Sequence, residues 1–226
     1  ANLIVPVVMI FSLGLGVIRE AGGLDGIMEM IRAAHEFLPI VVGGISNQIL
    51  YGSLIGFGIG FTLGPMNLLS ATAFSRDAKH LDSLMSFPLR AKEIVFAKLF
   101  PGIAFAFLGS ILIMIPLLVV SWTIPVLFIS LFITNILGMI FINELGLLLD
   151  FKSPKLNWDD ELKAIKGNAN GAILIFLSFA IVGACIAAFF VLPFTFEQPG
   201  MLVLGFLFLL LIVVTVSLFA RVDQLW

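Results

Sequence analysis

Six stretches of the chain are almost continuously apolar, and short polar segments separate them. The stretches are Leu3–Ile18, Ile40–Phe74, Leu99–Val120, Ile124–Leu149, Gly171–Leu192 and Met201–Ala220. A helix needs about 20 apolar residues to cross the ~30 Å hydrocarbon core of a bilayer. No stretch shows the alternating pattern of a membrane β-strand. The pattern therefore predicts an all-α fold, a polytopic membrane bundle of six transmembrane helices.

Composition agrees with this interpretation. Of 226 residues, 61% are hydrophobic and 12% are charged, whereas soluble domains carry about 25% charged residues. A soluble enzyme is thus excluded, and the net charge of −2 gives no reason to expect a nucleic-acid partner. The chain begins inside an apolar stretch without an initiator Met. We therefore expect that Ala1 follows a truncation, and that the chain is the C-terminal part of a larger permease.

Basic residues are distributed unequally between the two sides of the predicted bundle. The loops 75–98 and 150–170, with the tail at Arg221, hold ten basic residues, and the opposite side holds only Arg19 and Arg32. Because basic loops stay in the cytoplasm, we expect a multi-pass protein of the cell membrane. Both ends of this chain are then expected on the cytoplasmic side.

The second predicted span is too long for one straight crossing. At 1.5 Å per residue, Ile40–Phe74 would extend about 52 Å, and we expect a kink near Gly64–Pro65. Small side chains lie along one face of this span: Ser46, Ser53, Gly56, Gly60, Gly64 and Asn67. Small residues at four-residue spacing let membrane helices approach closely. Packing within one subunit is the favoured interpretation, with a subunit interface or a substrate path as the alternative.

The loop after this span predicts a short amphipathic helix. Ser75 suits its N-cap and Asp77 its first turn. An apolar stripe follows, and Pro88 ends it; the stripe consists of Ala78, Leu81, Leu84 and Met85. Such a helix either lies on lipid headgroups or docks into a groove of a partner.

This loop resembles a known motif. Ser75-Arg76-Asp77, then Pro88, then Ala97-Lys98 is similar to the coupling-helix region of ABC exporter permeases of the ABC-type-two class. Those permeases carry Ser-Arg-Glu at the start, so Asp77 keeps the charge on a shorter side chain. The resemblance implies a cytoplasmic coupling helix between the second and third spans, which receives movement from an ATPase.

The second basic loop resembles a signature of large bacterial permeases of the same class. That signature is matched by Asp150, Pro154-Lys155-Leu156, Trp158, Glu161, Ala164, Lys166, Asn168 and Asn170. The resemblance implies an ABC ATPase subunit as partner, with ATP and Mg²⁺ bound there. It also implies a second permease unit, or the missing half of the same permease, and a substrate that passes between the two units. Peptides, lipids and drugs are all possible cargo.

Other chemistry is not indicated by the sequence. The chain has no Gly-x-x-x-x-Gly-Lys-[Ser/Thr] loop for ATP phosphates, and no metal or catalytic set, since His35 and His80 fall on opposite predicted sides. Polar residues inside the predicted spans are few: Asn47, Gln48, Asn67, Asn135, Asn143 and Glu144. The alternatives are a secondary transporter, which needs a midplane ion site, and a non-transporting immunity or scaffold permease of the same fold.

The predicted orientation can be tested with single cysteines in a Cys185→Ala background. Because of the basic-residue asymmetry, cysteines at Ser83 and Ser153 should react only from the cytoplasmic side, and one at Gln198 only from the other side. The measurement is labelling of intact cells and inverted vesicles with a membrane-impermeant maleimide. Labelling of position 83 in intact cells would contradict both the orientation and the coupling-helix hypothesis.

Overall fold

The computed structural model describes residues 19, 23–78, 89–158, 165, 167–191 and 197–223, and this part of the chain is helical without strands. We number its α-helices in chain order. They are α1 (Leu24–Val42), α2 (Ile45–Leu63), α3 (Ala73–Arg76), α4 (Ala91–Ser121), α5 (Pro125–Lys152), α6 (Ala169–Val191) and α7 (Glu197–Asp223). Two 3₁₀ turns, Gly64–Asn67 and Ser70–Thr72, connect α2 to α3.

Five helical segments within these residues are long and apolar enough to cross a membrane: Ile45–Arg76, Lys92–Ser121, Pro125–Lys152, Ala169–Ala187 and Leu204–Arg221. The chain therefore has the character of a multi-pass membrane protein. The first predicted span, Leu3–Ile18, lies outside the described residues, as does 79–88, where most of the predicted coupling helix falls.

The structure differs from the sequence interpretation before the second span. Most of the segment predicted as the loop Arg19–Pro39 is the amphipathic helix α1, and the spanning helix begins at Ile45. Gly43 separates α1 from α2 with a positive φ of 71°, a conformation that glycine adopts without a Cβ clash. Its N–H donates to the carbonyl of Pro39 at 3.1 Å, which closes the end of α1.

The second span breaks where Pro65 was expected to break it. α2 ends at Leu63, the chain tightens into the 3₁₀ turn at Gly64, and Leu68 has a left-handed φ of 55°. Asn67 supports this break with its side chain. Its Nδ2 donates to the carbonyl of Gly102 on α4 at 2.8 Å, and its Oδ1 accepts from the N–H of Leu69 at 2.9 Å.

Helices α2 and α5 run parallel and approach each other at a row of glycines. A Cβ on Gly52, Gly56 or Gly60 would overlap backbone atoms of α5, and one on Gly64 would overlap the Ile142 side chain. On the α5 side, a Cβ at Gly138 would lie 2.9 Å from the carbonyl oxygen of Phe57. The small-residue face thus lies in a helix contact within the chain. Ser46, at the other end of the predicted face, is exposed.

Helix α5 is the centre of the bundle, because it contacts the other four candidate spans. One apolar cluster lies in the middle of the bundle, where the Phe61 and Phe141 rings are 4.9 Å apart. A second cluster joins Phe74, Val95, Leu147 and Leu218 near the charged loops. At the opposite end Val42 of α1 packs with Ile124 and Leu127. The outward sides of α4, α6 and α7 carry exposed apolar side chains, which are suited to lipid.

The glycine contact predicts a contrast between two positions that are two residues apart. Gly60→Ala should destabilise the protein by about 1–3 kcal/mol, because its methyl group overlaps the Asn135 carbonyl and forces the helices apart. Gly58→Ala is the matched control, since a Cβ there meets no atom of the described residues within 4 Å. The measurement is the thermal unfolding midpoint of both variants in detergent micelles. Equal midpoints would show that the α2–α5 contact is not close in the folded protein.

Candidate functional site

The two loops with motif resemblance meet at one buried carboxylate. Asp150 lies in the last turn of α5 and is 0% exposed. Its Oδ2 accepts from the backbone N–H groups of Phe74 at 2.7 Å and Ser75 at 2.9 Å. These are N–H groups of the first turn of α3, which have no partner inside the helix. Asp150 therefore caps α3 from a different helix, as an N-cap side chain does within its own chain segment.

The second oxygen of Asp150 is occupied as well. Its Oδ1 accepts a short hydrogen bond from the Ser75 hydroxyl, and bonds from Asn168 Nδ2 at 3.3 Å and Asn170 Nδ2 at 3.1 Å. The carboxylate thus has five donors. Since a buried charge without partners is strongly unfavourable, these donors fix how α3, α5 and the start of α6 lie relative to one another.

Ser75 is the second centre of the site, and it is also 0% exposed. While its hydroxyl donates to Asp150, its Oγ accepts from the Lys155 N–H at 2.8 Å and from Asn168 Nδ2 at 2.9 Å. Its carbonyl accepts from Trp158 Nε1 at 2.7 Å. A hydroxyl has one donor and two acceptor positions, so the capacity of Ser75 is full.

We call this group the loop joint and define it as Ser75, Asp150, Lys155, Trp158, Asn168 and Asn170. Further bonds close the second loop onto itself. Asn170 Nδ2 donates to the Ser153 carbonyl at 2.9 Å, and Lys155 Nζ donates to the Gly167 carbonyl at 2.9 Å. The loop joint therefore connects three separate parts of the chain, at the end of the bundle that carries the charged loops.

The other residues of the first motif lie beside the loop joint. Asp77 forms an ion pair with Lys98 near the start of α4, and Lys98 Nζ lies 5.8 Å from the centre of the Phe74 ring. Arg76 turns back and donates to the Leu69 carbonyl at 3.0 Å. Ala78 is half-buried and is the last described residue of this segment. Thus the residues directly before the segment 79–88 have fixed partners on α4 and on the turn before α3.

Several predicted site residues fall outside the described part of the chain: Leu81, Leu84, Met85 and Pro88 in the first loop, and Glu161 and Lys166 in the second. Pro154 is described and half-buried, and it follows the last helical turn of α5. The site assigned from the sequence left out Asn168, Asn170 and Lys98. Each belongs to one of the two motifs, and this match was the signal that could have found them. Their partners, Asp150 for the two asparagines and Asp77 for Lys98, are visible only in the folded chain.

Two polar contacts lie deeper in the bundle. Ser70 Oγ donates to Asn143 Oδ1 at 2.7 Å, directly against Gly102 of α4. On another side of α5, Glu144 is buried and lies 2.6 Å from the hydroxyl of Thr215 on α7. The sequence marked Asn143 and Glu144 as polar residues within a span, whereas Ser70 and Thr215 resembled ordinary helix residues.

The chemistry of the loop joint is that of a structural connection. The Asp150 carboxylate accepts the hydrogen bond of the Ser75 hydroxyl, and both residues are buried. Among the described residues, no group of three His, Cys, Asp or Glu side chains is arranged to hold a metal. The arrangement ties the two loops together through hydrogen bonds with defined partners.

Loss of the Ser75 hydroxyl should weaken this connection. Ser75→Ala removes one donor from Asp150 and leaves the Lys155 N–H and Asn168 Nδ2 with fewer acceptors. We expect a loss of about 1–3 kcal/mol in stability, seen as a lower thermal midpoint and faster proteolysis of the 153–168 loop. Ser178→Ala is the control, because within the described residues that buried hydroxyl bonds only to the Ile175 carbonyl of its own helix. Equal losses in both variants would contradict a special role for the loop joint.

Comparison with known proteins adds no relative. No protein-family model, curated protein or solved structure matches the chain.

Proposed function

We propose that the chain is the membrane-spanning subunit of an ATP-driven exporter of the ABC-type-two class. It would move a substrate, such as a peptide, lipid or drug, with ATP hydrolysed by a partner ATPase. One observation carries the proposal. Residues from both resembling loops bond to each other in the loop joint: Ser75 of the first loop contacts Asp150, Lys155 and Trp158 of the second, more than 70 positions away along the chain.

The loop joint suggests how the chain would use force from a partner. In the proposal, the ATPase holds the segment 79–88 and moves it during ATP hydrolysis. That movement reaches Ser75, and the bonds of Ser75 to Asp150 and Asn168 pass it to α5 and to the start of α6. The Asp77–Lys98 ion pair passes it to α4. Several spans would then tilt together, which changes access to a path between two permease units.

The proposal includes the expected partners and location. The second permease unit, or the rest of the same permease, would complete a two-fold assembly. ATP and Mg²⁺ would belong to the ATPase. The protein would lie in the cell membrane with both ends of this chain on the cytoplasmic side, in agreement with the basic residues of its loops.

Glu144 supports a second candidate function, a secondary transporter. An ionisable side chain within a membrane span often marks an ion or proton path. Its hydrogen-bond partner among the described residues is the neutral Thr215 hydroxyl, whereas a coupling-ion site usually gathers several oxygen ligands around broken helices. A non-transporting immunity or scaffold permease would have the same fold and the same loop joint. Purification from a native membrane separates these functions, because only the exporter needs a bound ATPase for transport into vesicles.

The exporter proposal predicts a specific effect of Leu84→Asp. If 75–87 forms the amphipathic helix that the sequence predicts, Leu84 belongs to the stripe that enters an ATPase groove. Burial of a Leu side chain is worth about 1.5–3 kcal/mol, and an unpaired buried carboxylate adds a further cost. We expect the variant to insert in the membrane but to lose the ATPase, measured as the amount of ATPase recovered with the purified permease.

Ser83→Asp is the matched control, since the sequence pattern puts position 83 on the polar side of the predicted helix. This variant should keep both the ATPase and transport. Recovery of wild-type amounts of ATPase with Leu84→Asp would count against docking, and would favour a helix that lies on lipid headgroups.

A further inference from the structure

Helix α1 has three chemically different sides, and one of them is both apolar and uncovered. Residues that face the protein share one side: Ile27, Ile31, Ala34, Leu38 and Val42. Charged residues share a second: Asp25, Glu29, Arg32 and Glu36. Met30 and Phe37 lie on the third, about 120° from the centre of the charged side at 100° per residue, and are 57% and 68% exposed. Met28 and Ile40, at the two edges of the charged side, are also exposed.

Contacts at its C-terminal end place α1 at the surface of the bundle that is remote from the loop joint. Val42 packs with Ile124 and Leu127, beside the turn between α4 and α5. His35 Nε2 lies 2.7 Å from the Val119 carbonyl, in the last turn of α4. Trp122, in the connection between α4 and α5, is 72% exposed. Tryptophan is enriched where a bilayer meets water.

The start of α2 places the end of α1 at the same surface of the membrane. Ile45 is the first residue of the candidate span Ile45–Arg76. Since α1 ends three residues before α2 begins, the end of α1 lies at the boundary between hydrocarbon and headgroups. From there, a course into the hydrocarbon would bury four charged side chains, and a course into water would expose Met30 and Phe37.

We propose that α1 lies in the lipid headgroup region on the side of the membrane remote from the loop joint, with Met30 and Phe37 inserted among the acyl chains. The occupant of the uncovered side is therefore lipid. The exposed apolar side chains of α4, which include Ile115 and Val119, would contact the same lipid. This inference rests on the membrane-spanning character of the bundle and is independent of the exporter proposal.

The charges of α1 specify the kind of lipid contact. Three acidic residues accompany Arg32 on the charged side, so that side carries a net negative charge and does not attract anionic headgroups. Insertion is driven by apolar side chains. It should therefore occur in a zwitterionic bilayer, and added anionic lipid should not strengthen it.

The test uses the full chain with Cys185→Ala, reconstituted in phosphatidylcholine vesicles. A nitroxide is attached to a single cysteine at position 30 or 37, or at the control positions 29 and 36 on the charged side. Collision with oxygen, which concentrates in hydrocarbon, is compared with collision with a water-soluble nickel chelate. We expect the oxygen-to-nickel ratio to be several-fold higher at 30 and 37 than at 29 and 36, with no increase when phosphatidylglycerol is added.

Two results would overturn the proposal. Nickel access at 30 and 37 equal to that at 29 and 36 would place the whole helix in water. Protection of 30 and 37 from both reagents would show that protein, and not lipid, covers them. Using two positions on each side guards against a local effect of one label, and all four replaced side chains are exposed.

Discussion

The carboxylate of Asp150 is withdrawn from water at the end of a spanning helix, and this burial constrains much of the structure around it. A buried charge without partners is strongly unfavourable, so the chain must bring donors to it. It does so from the start of α3 and from two asparagines near the start of α6. This requirement explains the two 3₁₀ turns that interrupt the second span. They deliver Phe74 and Ser75 to Asp150 with their N–H groups free to donate.

A second constraint is the close backbone contact between α2 and α5. Gly56, Gly60 and Gly138 allow the backbones of α2 and α5 to touch, and lipid cannot compete for a groove that is already filled by another helix. The glycine contact fixes the lateral distance between these helices, and the loop joint fixes their ends. α2, α3 and α5 therefore form one unit, because the α2–α5 contact is the most extensive among the described helices and Asp150 bonds to the start of α3.

The sequence was informative wherever one physical requirement dominated a segment. Hydrocarbon thickness demands long apolar runs, and the spans described by the structure correspond to those runs. The effect of Pro65 and the packing of Gly60 also followed from local chemistry. The sequence was less informative about α1, because its apolar positions were divided between a predicted loop and a predicted span. It could not supply the partners of Asp150, because hydrogen bonds between distant positions depend on where helices end in space.

The position of the glycine contact along the chain has a consequence for biogenesis. Gly60 enters the membrane before α4 and α5 have been synthesised, so its groove first meets lipid. At roughly 5–20 residues per second, the ribosome needs several seconds to add those two helices. The side-chain amides of Asn168 and Asn170, which donate to Asp150, are synthesised after it. The insertion machinery thus handles an open arrangement of helices, and the bundle closes only after the start of α6 has emerged.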